Sequence, residues 1–220
     1  MFQESCKWEE LALSVRLVEE NGIKIAFVPF DQPITYSGEQ IEPLWTFKRF
    51  GVQGDSVLVF RGPLRVEKGE LVDLKDLIEE GEKRDVVISS DDAINFVVEH
   101  FDQQPPSLRL MYHRLRIFSM IVKETVESVK HVQLRRDGTD LYKDGGKLSV
   151  AIATVSPGSG KIHFALNVKS EGAPPGVNAI GLKELGFAEE ELKGFVETVA
   201  RKYRDEILDI EQDLTKTRTF

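Results

Sequence analysis

The chain of 220 residues contains a single cysteine, Cys6. That excludes an intrachain disulfide and any multi-cysteine zinc site, and it fits a reducing compartment or indifference to redox chemistry. No apolar run approaches the roughly 18 residues that a membrane span needs. The start, Met1-Phe2-Gln3-Glu4-Ser5-Cys6-Lys7, has neither the basic opening nor the apolar stretch of a signal peptide. A cytoplasmic protein with no membrane partner is the expectation. Positive charge is also scarce: 29 Lys and Arg face 37 Asp and Glu, for a net charge of -8. Duplex binding draws its affinity from cations that replace condensed counterions, so nucleic acid is disfavoured as a partner.

Several chemistries are missing as well. The histidines at 100, 113, 131 and 163 never fall at paired metal-ligand spacing, and no metal site is expected. Glu99-His100-Phe101-Asp102 would need distant help to hold an ion. Gly158-Ser159-Gly160-Lys161 lacks the earlier glycine and the following Ser or Thr of a phosphate loop, and reads as a hairpin turn. There is no Gly-x-Ser-x-Gly elbow. Neither an internal repeat nor a low-complexity tract is present.

What remains is a globular composition, 41% hydrophobic and 30% charged, enough for one core and hence one domain over residues 1–220. Apolar spacing predicts a helical extension within 1–22 (Trp8 to Glu20), a strand over Ile23 to Val28, and a helix from Tyr36-Ser37-Gly38 through Trp45 to Arg49. A second strand, Asp55 to Phe60, should end at a turn, Arg61-Gly62-Pro63. A short helix or a strand-to-helix passage is expected over Leu71 to Glu80 and a brief strand over Val86 to Ile88. Ser90-Asp91-Asp92 then looks like the cap of a helix from Ala93 to Phe101. A long helix follows over Leu108 to Val129, then strands over Lys130 to Leu134, Lys147 to Val155 and Lys161 to Val168. A short helical piece near Ile180 to Leu185 precedes a helix from Ala188 to about Leu208, with a frayed tail over 215–220. This order predicts an α+β fold, a mostly antiparallel mixed sheet with helices on one face.

The densest chemistry lies in Arg135 to Ala151, where Lys147 opens a strand directly after a charged turn. Period-two alternation would put Lys147, Ser149, Ala151 and Ala153 on one face, matched in the next strand by Lys161, His163, Ala165 and Asn167. With the turn near Gly158, Ser149 should stand almost opposite Asn167, leaving Lys147 about 5 to 8 Å away on the diagonal. An ammonium and a carboxamide so placed can share one anionic ligand. The plainer alternative is a surface lysine that blunts a sheet edge.

The run Lys130 to Leu148 resembles the biotin protein ligase signature Lys-Trp-Pro-Asn-Asp, a hydrophobic pair, a turn, then Gly-Lys-Lys and an apolar strand. Phe164-Ala165-Leu166-Asn167-Val168 resembles the Gly-Ile-Asn-Val strand that follows it. Arg136 stands at the family's first lysine, Asp140 at its closing aspartate, Lys147 at its ligand-contacting lysine and Asn167 at its asparagine. Through Tyr36-Ser37-Gly38-Glu39-Gln40, Gly54-Asp55-Ser56-Val57, Leu71-Val72-Asp73-Leu74 and Glu99-His100-Phe101-Asp102, the chain resembles an uncharacterised prokaryotic domain family. That family looks like a member of the class II aminoacyl-tRNA synthetase and biotin/lipoate ligase superfamily.

The resemblance implies a pocket for a small anionic molecule, a carboxylate or a nucleotide phosphate. Lys147 would supply the charge, Asn167 and Arg136 would orient the ligand, and Asp140 would fix a basic neighbour or a ribose hydroxyl. Arg61 would approach from the other strand end, and Ser149 and His163 complete the expected lining. An enzyme of this superfamily would form an acyl-adenylate and need ATP and Mg. Two departures point the other way: Val150 replaces the family's glycine three residues after the lysine, and only Arg61-Gly62-Pro63 stands in for the glycine- and arginine-rich loop. The alternative is a non-catalytic structural or regulatory homodimer that kept the fold. A transfer-RNA role through Arg109, Arg114 and Arg116 conflicts with the acidic balance.

Overall fold

Two long antiparallel strands form the spine of the protein, β3 (Ser56–Glu67) and β4 (Val86–His100), paired from Ser56 opposite Glu99 to Glu67 opposite Val86. In this computed structural model the described residues are 15–18, 22–74, 78 and 86–218. Beside the spine lie β1 (Arg16–Val18) and β2 (Lys24–Phe27) on one side, and β9 (Gly160–Asn167) and β8 (Ser149–Val155) on the other. The six-stranded order is β1-β2-β3-β4-β9-β8, and only the β2–β3 pairing is parallel. A small second sheet joins β5 (Arg135–Asp137), β6 (Asp140–Lys143) and β7 (Gly146–Lys147).

The expected α+β class holds, with the two long helices on one face of a mostly antiparallel sheet. The first, Leu108–Lys130, begins where Ser107 Oγ accepts the Leu110 N–H at 3.2 Å. It buries Met111, Leu115, Phe118, Val122 and Val126 at i, i+3 and i+4 spacing. The second, Glu189–Lys216, places three glutamates in its first turn, where the helix dipole favours negative charge. Phe118 is the hub of this layer, 5.2 Å from the rings of Phe96 and Phe164 and 5.0 Å from Tyr203. The opposite face holds Leu58, Phe60, Leu64, Ala93, Val97 and Ala165 and, among the described residues, is covered mainly by the 28–52 segment, with Val15 and Leu71 also packed against it. That cover contains a single 3-10 turn, Glu39–Ile41, and the short helix α1 (Trp45–Phe50). In chain order the two long helices are thus α2 and α3.

Several local expectations are corrected. The Ala93 to Phe101 helix is part of β4, because both faces of that strand are buried. Two-sided burial removes the polar positions that would have revealed a period of two. Arg61-Gly62-Pro63 is a bulge within β3, not its end. Of the supposed N-terminal helix, Val15 is irregular and residues 16–18 form the edge strand β1, and the rest lies outside the described residues. Of the Leu71 to Glu80 helix, residues 71–73 are irregular, 74 and 78 are helical, and 75–77 and 79–80 lie outside the described residues. Lys130 to Leu134 is helix end and connector, with the strand starting only at Arg135. Ile180 to Leu185 is a run of turns, and α3 continues to Lys216, so residues 215 and 216 belong to the helix rather than the tail.

The bulge in β3 sets the position of Tyr36. A methyl group at Gly62 would collide with the Ile34 carbonyl, so glycine lets the 34–36 backbone lie directly along β3. Ile34 N–H then donates to Arg61 O, Tyr36 N–H to Pro63 O, and Arg65 N–H to Tyr36 O, each at 2.9 Å. Gln40, fully buried, secures the loop from behind by donating to Thr35 O at 2.9 Å and accepting from Ser37 N–H at 3.0 Å. Tyr36 is thereby fixed against the sheet.

Candidate functional site

On the less covered face, where Tyr36 meets β8 and β9, lies a cavity of about 190 Å³. That is somewhat larger than the roughly 150 Å³ that admits benzene and below the range usual for drug-sized ligands. Its buried end is a stacked pair: the Tyr36 and His163 rings lie 3.5 Å apart and 7° from parallel. Ile41, Val66, Ile88, Val150 and Ile152 supply apolar walls. At the mouth, Lys147 Nζ sits 2.9 Å from Asp140 Oδ2, the two side chains 33% and 27% exposed. Glu70 and Asp73 add two further carboxylates to the lining.

Three of the seven residues expected at the site are brought together here, namely Lys147, Asp140 and His163. The other four stand elsewhere. Asn167 turns its amide into the backbone, donating to Lys147 O at 3.2 Å and Ile180 O at 3.3 Å, so it holds the strand that carries the lysine. Ser149 pairs with Leu166, not Asn167, and accepts the Leu141 N–H at 2.9 Å on the helix-packed side. The reason is a break in alternation: Leu148 belongs to neither β7 nor β8, donates its N–H to Leu141 O at 2.8 Å and enters the helix-side core. Lys147 consequently shares the cavity face with Val150 and Ile152, paired with Ala165 and His163. The expected grouping of Lys147 with Ser149 on one face is thereby corrected.

Arg136 is exposed and its guanidinium donates to Gly138 O in its own turn. Arg61 is clamped by Asp92, with Nε–Oδ1 at 2.7 Å and Nη2–Oδ2 at 2.6 Å, and also pairs with Glu189. That carboxylate is held down to about 2, chiefly by the hydrogen bonds from Arg61 and Lys183. Arg114 is buried against Asp102, which removes it from any basic surface patch. His100 bridges Asp55 and the Tyr203 hydroxyl at 3.1 and 2.9 Å. Asp55, His100 and Asp102 do approach one another closely, but these partners account for them as a network between sheet and helices.

His163 is fully buried and held neutral, its pKa pressed down to about 3 by the loss of hydration. Burial likewise pushes the Tyr36 hydroxyl above its ordinary range. Residue reasoning missed Tyr36 and Ile41, which the strap along the β3 bulge brings in, and Val66 and the 70–73 stretch, which belong to the end of β3 and the turn after it. The tyrosine followed by Gly38 and Gln40 was the available signal.

A family model described as Domain of unknown function (DUF366) matches residues 25–218. The chain belongs to that family. An uncharacterized protein of Methanocaldococcus jannaschii is 46% identical over 184 residues, covering 84% of this chain and 80% of the relative. A solved protein of unknown function from Pyrococcus horikoshi superposes with a TM-score of 0.80 at 36% identity, over 90% of this chain and 99% of that one. The biotin protein ligase from Aquifex aeolicus, solved with biotin and ATP, gives a TM-score of 0.57 at 14% identity, over 88% and 73% of the two chains. The last likeness is one of fold, and it bears out the expected biotin-ligase-like architecture.

Proposed function

We propose that this DUF366 protein binds a small acidic molecule in the cavity between Tyr36 and Lys147, with the Lys147 ammonium receiving the acidic group. The observation that carries the reading is the Lys147–Asp140 pair at the mouth of a cavity with aliphatic walls, in which Lys147 is the one cation of the described lining. A partly exposed pair of this kind contributes only about 0.2 to 1 kcal/mol, so an incoming carboxylate displaces Asp140 at little cost. Asn167 supports the reading indirectly, since it pins the carbonyl of the residue that carries the charge.

Two further observations favour binding without acyl-adenylation. A triphosphate with its metal needs several converging cations, whereas the cavity's described lining offers one, already paired, beside three carboxylates. Arg61 and Arg136, expected to reach the ligand, are turned to other partners. The described residues therefore do not fit ATP and Mg, and no adenylation step is assigned. The superfamily's habit of pairing makes a homodimer a companion proposal.

A thermal-shift screen of small carboxylic acids and nucleotides, with the best ligand titrated calorimetrically into wild type and Lys147→Ala, tests the reading. Loss of affinity of about tenfold or more is expected for the variant. A ligand held equally well without Lys147 overturns the proposal. Pyrophosphate release from ATP with any bound acid would instead restore the enzymatic alternative.

A further inference from the structure

We infer that the buried end of the cavity selects a ligand bearing a hydrogen-bond donor, a ring N–H on an uncharged heterocycle, which binds Nδ1 of His163. This names the ligand class for the proposed acid-binding site and rests on that reading.

Asn95 determines the state of the imidazole. Its Nδ2 faces Ala93 O at 3.4 Å and its Oδ1 faces His163 Nε2 at 3.0 Å. An amide oxygen only accepts, so Nε2 must carry the imidazole proton. A neutral imidazole has one N–H, which leaves Nδ1 as a bare acceptor. Among the described residues Nδ1 has no partner, although the side chain is 2% exposed. Nor is it sealed inside the protein like Thr46 Oγ1 or Ser56 Oγ. His163 lines the cavity, and the open side of Nδ1 is assigned to it.

Everything around the ring preserves that state. Tyr36 stacks on it and prevents it from rotating, and Asn95 fixes the tautomer from the far side. With a pKa held near 3, the imidazole stays an acceptor throughout the physiological range. The Tyr36 hydroxyl is also unpartnered among the described residues, and Glu70 brings acceptor oxygens to the same lining. Acceptors therefore outnumber donors away from Lys147. The neutral imidazole gives a charged donor such as an ammonium no countercharge, and the aliphatic walls favour an uncharged ring. A flat, neutral N–H ring joined to an acid meets all three demands.

The test uses the full chain labelled with 15N-histidine and three probes: indole-3-propionate, its 1-methyl form, which lacks the donor, and its 2-methyl form, which keeps it. The free protein should show one histidine with unprotonated Nδ1 and protonated Nε2 at neutral pH. Indole-3-propionate and the 2-methyl form should bind and move that Nδ1 resonance, while methylation at nitrogen weakens binding by about tenfold or more. Equal affinities for the N–H and N-methyl probes, an unmoved Nδ1 resonance on binding, a protonated Nδ1 in the free protein, or uptake of none of the probes overturns the inference. Should nitrogen methylation have no effect while Lys147→Ala still weakens binding, only this inference falls. Discrimination against the N-methyl probe with no effect of Lys147→Ala removes the acid reading and leaves His163 in place.

Discussion

Asp140→Asn is the perturbation that separates a lysine poised for a ligand from one engaged in a structural pair. At 2.9 Å the gross Coulomb energy of the Lys147–Asp140 pair is about 6 kcal/mol at an effective dielectric of roughly 20. About a third of each side chain is exposed, so hydration and side-chain entropy reduce the net worth to about 1 kcal/mol at most. An acidic ligand must displace Asp140 to reach the ammonium, and the displaced interaction is subtracted from its affinity. Asparagine keeps the size and an acceptor oxygen while removing the competing charge. The variant should therefore bind a carboxylate about fivefold more tightly, by about 1 kcal/mol, with little change in unfolding midpoint. Calorimetric titration of indole-3-propionate at low and high ionic strength reads this directly, and the gain should shrink as salt screens the exposed charges. Unchanged or weaker binding in Asp140→Asn, with Lys147 intact, would show that the aspartate helps to hold the ligand and would refute the competition argument.

His163 should make the fold acid-sensitive. Its folded pKa of about 3 lies below the unfolded value near 6.5, so the unfolded chain binds the extra proton and stability falls as pH drops from 6.5 towards 3. The loss attributable to this group is about 3 kcal/mol between pH 7 and 4. Urea denaturation of His163→Phe, which keeps a ring beside Tyr36, should show a correspondingly shallower pH slope; Tyr36, Glu70, Asp140 and Lys147 also face the cavity and are unchanged in the comparison. Arg61→Ala should cost about 1 to 3 kcal/mol of stability through loss of the Asp92 clamp while leaving ligand affinity within about twofold of wild type; a selective loss of affinity in calorimetry would return Arg61 to the site. Lys161→Met should destabilise by about 3 to 5 kcal/mol, because Glu99, 2.7 Å from the ammonium, would stay buried without its countercharge. Lys161→Met combined with Glu99→Leu should recover most of that loss in urea unfolding, and a double variant no better than the single one contradicts the ion-pair account.

Helix α2 and the β8–β9 hairpin were legible in the sequence for different reasons, the first by a wet face and the second by its turn. Helix α2 announces itself through a stripe of Leu115, Phe118, Val122 and Val126 against polar neighbours, and the β8–β9 hairpin through Ser156 to Gly160. Strand β4 was hidden for the converse reason. Ile94, Phe96 and Val98 serve the helix side, while Ala93, Asn95 and Val97 serve the other, so no solvent-facing rhythm survives. The cap-like Ser90-Asp91-Asp92 misled because its polar groups have other uses. Asp92 clamps Arg61, and the Asp91 N–H meets Glu171 O at 3.1 Å.

The site divides along a similar line. Lys147 and Asp140 are seven residues apart across the tight β6–β7 hairpin, close enough in sequence for local reasoning to pair them. Ser149 failed because strict alternation was carried across Leu148, a residue the chain uses to pass from the small sheet to the large one. Tyr36 lies outside any periodic argument, since its place depends on a bulge 26 residues later that only glycine at position 62 permits. Tyr36, Asn95 and His163 come from three separate segments, and each looks ordinary alone: a loop aromatic, a buried amide and a strand histidine. Only their stacking and the Asn95 hydrogen bond fix which imidazole nitrogen is bare, and that nitrogen gives the cavity its polarity. A cavity with an ammonium at one end and a bare acceptor at the other has a direction. Under the proposed binding, such a cavity would discriminate between ligands by the order of their polar groups as well as by their size.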